Sequence, residues 1–158
     1  MDASAFCLRA AIDTDCGRIL AWANDPDTRI ASFHSEPISE TAHNAWFAES
    51  LAGARNLYIV EQNGTAVGLV RLDPFDRTDA IVSLTIAPEH RGRGLGPTAL
   101  IALADQAAAL GFSRLIAKIR KTNVRSQRTF EKAGFERCGE EVVHGVPALL
   151  YALGPDTP

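Results

Sequence analysis

The chain is 158 residues long, 46% hydrophobic and 22% charged, with a formal net charge of -3. That length suits one domain with a buried core of its own, and the acidic balance argues against a nucleic-acid surface, so any phosphate contact must come from a local cluster. Cys7, Cys16 and Cys138 are odd in number and lack C-x-x-C spacing, Met1-Asp2-Ala3-Ser4 lacks the basic, apolar start of a signal peptide, and no apolar run reaches bilayer-spanning length; reduced thiols, no metal framework and a soluble cytoplasmic protein are expected.

Phe6 to Ala10 reads as an opening strand, and Asp13-Thr14-Asp15 offers N-caps to a helix from about Thr14 to Asn24, where Ile19, Leu20, Trp22 and Ala23 recur at helical spacing. Asp25-Pro26 ends it. Thr28 to Ile38 has no clean periodicity and reads as a short helix followed by a loop. Ser39-Glu40-Thr41-Ala42 resembles a capping box, and the helix it starts places His43, Trp46, Phe47 and Leu51 near one side before Gly53 stops it. Leu57 to Glu61 and Ala66 to Leu72 flank Asn63-Gly64, a strong hairpin signal. A turn over Asp73 to Asp79 leads into a third meander strand, Ile81 to Ala87. After Pro88-Glu89-His90 and Arg91-Gly92-Arg93-Gly94-Leu95-Gly96, the run Thr98 to Ala107 is helical. Leu115 to Ile119 is a buried strand, Val124 to Ala133 a helix closed by Gly134, and Phe135 onward a hairpin around Gly145 with Val146 to Leu153 as its last strand. Residues 154–158 are expected to fray. This order predicts a single-domain α+β fold over residues 1–158, a mixed, mostly antiparallel sheet of six to seven strands flanked by helices, with one parallel crossover around the Gly-rich helix.

The function signal concentrates in Ile81 to Ala107. Glycines at alternate positions between a strand and a helix bring bare N–H groups to a helix start, a cradle for anions, to which Arg91 and Arg93 add charge. A tight strand-to-helix connection is the alternative. No Gly-Lys-Ser/Thr follows, which excludes a Walker A loop, and Gly92-x-Gly94-x-Gly96 lacks G-x-G-x-x-G spacing.

Arg91-x-x-Gly94-x-Gly96, after a strand ending Leu84-x-Ile86-x-Pro88, resembles the acyl-CoA-binding motif of the GNAT superfamily of N-acetyltransferases. Asn123-x-x-Ser126-x-x-x-Phe130-Glu131-Lys132-x-Gly134-Phe135 is similar to the other half of that cofactor site. The resemblance implies a GNAT-like fold with splayed central strands and acetyl-CoA as cosubstrate. Its pyrophosphate would lie on the main chain of Gly92, Arg93, Gly94, Leu95, Gly96 and Pro97, with a hydroxyl from Thr98. Pantetheine would pair with the strand edge at Leu84, Ile86 and Ala87. The Ile86 and Ala87 amides are the expected oxyanion donors. Asn123 and Ser126 either touch cofactor or cap their helix. Arg120, Lys121, Arg125 and Arg128 either reach the 3'-phosphate or form a solvated basic face. Phe130 stands where many members carry a Tyr general acid near the departing sulfur; Tyr58 or a water is the alternative proton donor.

Attack by an amine needs a base or a water chain. Glu61, Asp73, Asp76, Glu89, His43 and His90 are candidates, His43 and Glu61 foremost, although His43 also suits packing beside Trp46. Trp22-Ala23-Asn24-Asp25-Pro26, Arg29, Ser32-Phe33, Pro37-Ile38-Ser39, His43 and Trp46-Phe47 resemble the amino half of the aminosugar N-acetyltransferases of pseudaminic acid biosynthesis. That narrower resemblance implies transfer to the 4-amino group of a UDP-linked aminosugar, with Arg29 for phosphate, Asn24 and His43 for hydroxyls, and Phe33, Trp46 and Phe47 as flat surfaces; core packing is the alternative for the aromatics. A protein or ribosomal N-terminal amine acetyltransferase and a non-catalytic acyl-CoA sensor remain as other outcomes. No nucleic-acid or membrane partner is expected, and an exposed final strand leaves a homodimer open.

Overall fold

The computed structural model describes residues 5–155; the amino-terminal residues 1–4 and the end of the expected frayed tail, 156–158, lie outside it. Seven strands, β1 (Phe6–Ala10), β2 (Asn56–Gln62), β3 (Thr65–Pro74), β4 (Asp79–Ile86), β5 (Arg114–Arg120), β6 (Glu136–Val143) and β7 (Val146–Leu153), form one sheet in the order β1-β2-β3-β4-β5-β7-β6. Every neighbouring pair is antiparallel except β4–β5. The β2–β3 and β6–β7 turns hold Asn63-Gly64 and His144-Gly145 with all four residues at positive φ (52°, 78°, 49° and 77°), the geometry that matches the twist of two-residue hairpins.

Alternation along the strands divides the core. Val70, Leu72 and Val82 pack with α4 (Leu95–Ala109) and with Phe130 of α5 (Val124–Lys132). Ile59 and Leu69 face the other way, against Ile19 and Trp22 of α1 (Cys16–Ala23) and Phe47 of α3 (Glu40–Glu49). Asp25-Pro26 does end α1, but it also starts α2 (Pro26–Ala31): Pro26 sits where no N–H is needed, and the Asp25 carboxylate accepts from the Thr28 amide at 3.2 Å. Ser39 caps α3 through the Ala42 amide at 3.1 Å, and a π turn, Ser50–Ala54, follows it and is broken from within by Gly53 at φ 111°. Asp13 and Asp15 do not cap α1 with their side chains; they lie in a 3-10 turn, Asp13–Asp15. Asp15, 1% exposed, turns back to accept from Arg9 Nη1 and Nη2 at 2.7 and 2.9 Å and from the Ile12 amide at 2.9 Å.

Two departures from regularity position the site. β4 and β5 pair only at Asp79↔Arg114, Ala80↔Leu115 and Ile81↔Ile116, after which β5 follows β7 as far as Arg120↔Ala148 and the two strands part. The Ala87 amide donates to Val67 O at 2.8 Å and Asp79 O accepts from the Phe75 amide at 3.0 Å, so odd-numbered peptide groups of β4 face β3. Those of Leu84 and Ile86 therefore face the gap. Second, the loop after β4 passes through Gly92 and Gly94 at φ 78° and 74°, and α4 begins at Leu95, earlier than Thr98. Gly96 allows the first turn of α4 to sit close against α5: a Cβ there would lie 2.7 Å from Thr129 Cγ2 and 3.2 Å from Leu84 Cδ2. Among the described residues no helix is long and apolar enough to cross a membrane. Gly154, expected to fray, instead lies with φ 112° against the Ser113 and Arg114 backbone.

The Arg9 guanidinium holds the Asp15 carboxyl below its ordinary 3.8, against the burial that would raise it. A depressed folded pKa supplies stability above the unfolded value, lost as pH falls through the folded one. Asp15→Asn is therefore expected to lower unfolding free energy by about 1.5–3 kcal/mol at pH 7. In urea titrations the gap from the unaltered protein should close below about pH 4.

Candidate active site

Two cavities meet where β4 and β5 part. The first, about 790 Å³, runs between α2, the end of β4, the glycine loop and α5. The second, about 1140 Å³, lies on the sheet face that carries α1 and α3. Leu84, Thr85, Asn123 and Ser126 border both, so the seam between the cavities is the gap between the strands.

The first cavity has the features of an anion cradle. Nothing lies within 4 Å of where a Cβ would sit on Gly92 or Gly94, so their peptide groups are open to a ligand, and the first turn of α4 adds free N–H groups. Arg125, Arg128 and Lys132 line it from α5. Other expected contacts are diverted. Pro97 borders the cavity but has no N–H to give. The Thr98 hydroxyl donates to Gly94 O at 3.3 Å, and Arg93 Nη1 lies 3.3 Å from His90 Nδ1; neither residue lines the cavity. Arg91 contributes a strap instead of a free charge. Its guanidinium donates to Ile86 O at 3.1 Å, to Asp25 at 3.1 Å and to the Thr28 hydroxyl at 3.0 Å, tying the glycine loop to α2. Against burial that would raise it, the Thr28 amide and Arg91 hold the Asp25 carboxyl below the usual carboxylate range. Asn123 Oδ1 accepts from the Ser126 amide at 3.1 Å, capping α5 at the seam. Arg120 Nη1 donates to Ile30 O and Ser32 O at 3.0 and 2.9 Å, and Lys121 pairs with Glu140 at 3.3 Å, so neither reaches out as a free phosphate ligand.

At the seam the Ile86 amide faces the gap, whereas the Ala87 amide is engaged by Val67 O and cannot serve an oxyanion. Phe130 is 4% exposed, edge-on to Phe135 at 5.0 Å, and borders the second cavity with a ring that has no proton to give. Tyr58 borders neither cavity, and burial pushes its phenol up.

The expected bases are both engaged within the protein. Glu61 pairs with Arg9 Nε at 2.7 Å on the β1–β2 side of the sheet and lines neither cavity. His43 borders the second cavity but is 3% exposed, with its ring 5.6 Å from Trp46 and 6.0 Å from Phe47. Its Nε2 donates to Cys16 O at 2.9 Å, so the proton it carries there is committed to packing α3 on α1.

The polar residues expected to touch substrate build the cavity wall instead. Asn24 brackets Ile38, accepting its N–H at 2.7 Å and donating to its carbonyl at 2.9 Å. Arg29 donates to Ala23 O at 2.6 Å, His34 O at 2.9 Å, Glu36 O at 3.4 Å and the Ser32 hydroxyl at 3.1 Å. Phe33 and Trp46 do border the second cavity; Phe47, 4% exposed, belongs to the core. Sequence reasoning missed Arg71, Ser83, Lys118, His34 and His144 on this wall. Arg71 interrupts the apolar run of β3, and Lys118 and Arg120 alternate with the buried Ala117 and Ile119, a period-2 signal that marks the face opposite α4. The His34 and His144 rings, 4.3 Å apart, join the loop after α2 to the β6–β7 turn. The wall thus carries Arg29, Arg71, Lys118 and Arg120 with Glu36 as its carboxylate among the described residues.

The family model for the acetyltransferase (GNAT) domain matches residues 6–136. The L-amino acid N-acyltransferase MnaT of Escherichia coli (strain K12) is 28% identical over 135 residues, covering 81% of this chain and 78% of that protein. The L-methionine sulfoximine/L-methionine sulfone acetyltransferase of Pseudomonas paraeruginosa (strain DSM 24068 / PA7) is 29% identical over 140 residues, covering 84% and 81%. The crystal structure of spermidine N-acetyltransferase from Vibrio cholerae with CoA and spermine shares the fold, with a TM-score of 0.84 at 21% identity over 94% of this chain and 95% of that one. With its glycine cradle and parted strands, the chain belongs to the GNAT acetyltransferase family and is an acetyl-CoA-dependent N-acetyltransferase.

Proposed function

We propose that the acceptor is a small primary amine that also carries a carboxylate, an amino acid or a close analogue. The charge of the acceptor wall is the observation that carries this reading: Arg29, Arg71, Lys118 and Arg120 surround the second cavity with Glu36 as the opposing carboxylate. Such a wall attracts an anion and repels a polycation, so spermidine and aminoglycosides are poor fits. Two relatives whose names specify L-amino acids or methionine sulfoximine and sulfone support the same class. The UDP-linked aminosugar implied by the sequence also carries an anion, but Asn24, Arg29 and His43, which stood for its contacts, are engaged within the protein.

In this reading the acyl donor enters through the first cavity and the amine through the second, and they meet at the seam in a ternary complex. The neutral amine forms the new C–N bond, the C–S bond breaks with CoA departing as its thiolate, and the amine proton leaves to water. The Ile86 amide supplies the oxyanion hydrogen bond. Bound acetyl-CoA supplies the activated acyl carbon.

A thiol-release screen tests the acceptor class: L-amino acids, L-methionine sulfone among them, should give the highest kcat/KM, with rates rising with pH as the acceptor ammonium deprotonates. Turnover confined to peptides, polyamines or UDP-linked aminosugars would overturn the assignment. Gly94→Ala places a side chain at φ 74°. It should cost about 1–2 kcal/mol of stability. Calorimetric affinity for CoA should fall about tenfold, the weight of one lost charge-assisted hydrogen bond, in protein that remains folded. Unchanged affinity would separate the pyrophosphate from this loop.

A further inference from the structure

We infer that Arg71, backed by the ring of Trp46, anchors the acceptor's carboxylate and sets the preference for amino acids over simple amines. This rests on the carboxylate-bearing acceptor proposed above and names the residue that would enforce it. The other cations of the wall already have partners: Arg29 and Arg120 grip main-chain carbonyls, and Lys118 pairs with Glu141 at 2.9 Å. Among the described residues the terminal nitrogens of Arg71 make no hydrogen bond, and its Nε is sealed from solvent without one, although the Asp73 carboxylate lies 3.2 Å away as a charge partner.

The local charge count points the same way. Asp73 is shared between Arg71 and Arg55, whose Nε stands 3.5 Å from it, so two guanidinium groups face one carboxylate and the cluster has an excess of one positive charge. Arg55 is further occupied by the Ser50 hydroxyl at 2.8 Å, which leaves Arg71 as the member able to take a ligand. Burial, with Arg55 nearby, works against its charge, and a bound anion would relieve that strain. Trp46 holds both guanidinium groups near its ring, at 5.3 Å for Arg55 and 5.7 Å for Arg71, so the fork of Arg71 is oriented before a ligand arrives. A planar, half-desolvated fork with open donors matches a carboxylate bidentately.

The placement fits the chemistry. Arg71 is paired in register with Ser83, which lines the same cavity, and Ser83 lies three residues before Ile86. At about 3.4 Å per residue the backbone offset between anchor and seam is about 10 Å. An arginine side chain and an α-amino acid, with its amine two bonds from its carboxyl carbon, can bridge that offset.

The test compares Arg71→Gln and Arg71→Lys with the unaltered protein, using L-methionine sulfone, L-leucine and L-phenylalanine as probes, each beside the amine left when its carboxylate is removed. The measured quantity is the ratio of kcat/KM for acid over amine, with calorimetric affinity for CoA as the check that each variant is folded. The ratio should fall at least tenfold in Arg71→Gln through KM for the acid, and Arg71→Lys should keep part of it, since charge remains while the fork is lost. If the unaltered protein acetylates neither series, or treats acid and amine alike, the carboxylate-acceptor proposal fails and the anchor with it. If it favours the acid and Arg71→Gln keeps the full preference while binding CoA normally, the anchor alone is overturned.

Discussion

The structure depends on the parting of β4 from β5. A parallel pair that continued past Ile81↔Ile116 would satisfy every peptide group of β4 and close the sheet. Because the pair stops there, Leu84 and Ile86 present main-chain groups to a gap bordered by a cavity on either side. The Ile86 carbonyl is already taken by Arg91, which leaves its amide as the polar group facing the seam. Antiparallel pairing on the far side, fixed by the Ala87 amide on Val67, keeps that strand edge in place while its other side stays open.

A second feature is the use of long charged side chains as internal hydrogen-bond donors. α2 has few helical hydrogen bonds of its own, and the loop after it runs without a strand to pair with. Carbonyls in such a segment need donors, and an arginine supplies several from one side chain. Arg29 and Arg120 meet that need from two directions. They are the same residues that read as phosphate ligands in the sequence, since a guanidinium suited to an anion is equally suited to a carbonyl.

This explains what was legible in the chain and what was not. Strand alternation, Asn63-Gly64, the Ser39 cap and the glycine loop act over a few residues, and each led to its element and together to a mixed, mostly antiparallel sheet of six to seven strands. The left-handed turns of that loop were legible for the same reason, since they are set by local glycine geometry. The acceptor side was not. Whether His43 meets solvent or Cys16 O, and whether Glu61 faces a cavity or Arg9, depends on pairings between residues 27 and 52 positions apart, which no local pattern encodes. Arg71 left a trace, a charge inside an apolar strand, but its importance depends on Arg55 and Trp46 arriving from another element.

The segment between α2 and α3 carries one more implication. Asn24 grips it through Ile38, Arg29 through the carbonyls of His34 and Glu36, and Arg120 through those of Ile30 and Ser32. Apart from the Ser32 hydroxyl, these grips fall on peptide groups, which every amino acid provides alike. Phe33, Ser35 and Glu36 are therefore interchangeable as far as the architecture is concerned, with His34 held by its ring against His144, and the enclosure keeps its shape while its lining is rewritten. Such a stretch is an exchangeable cassette, through which one scaffold can diversify among metabolites without rebuilding its frame.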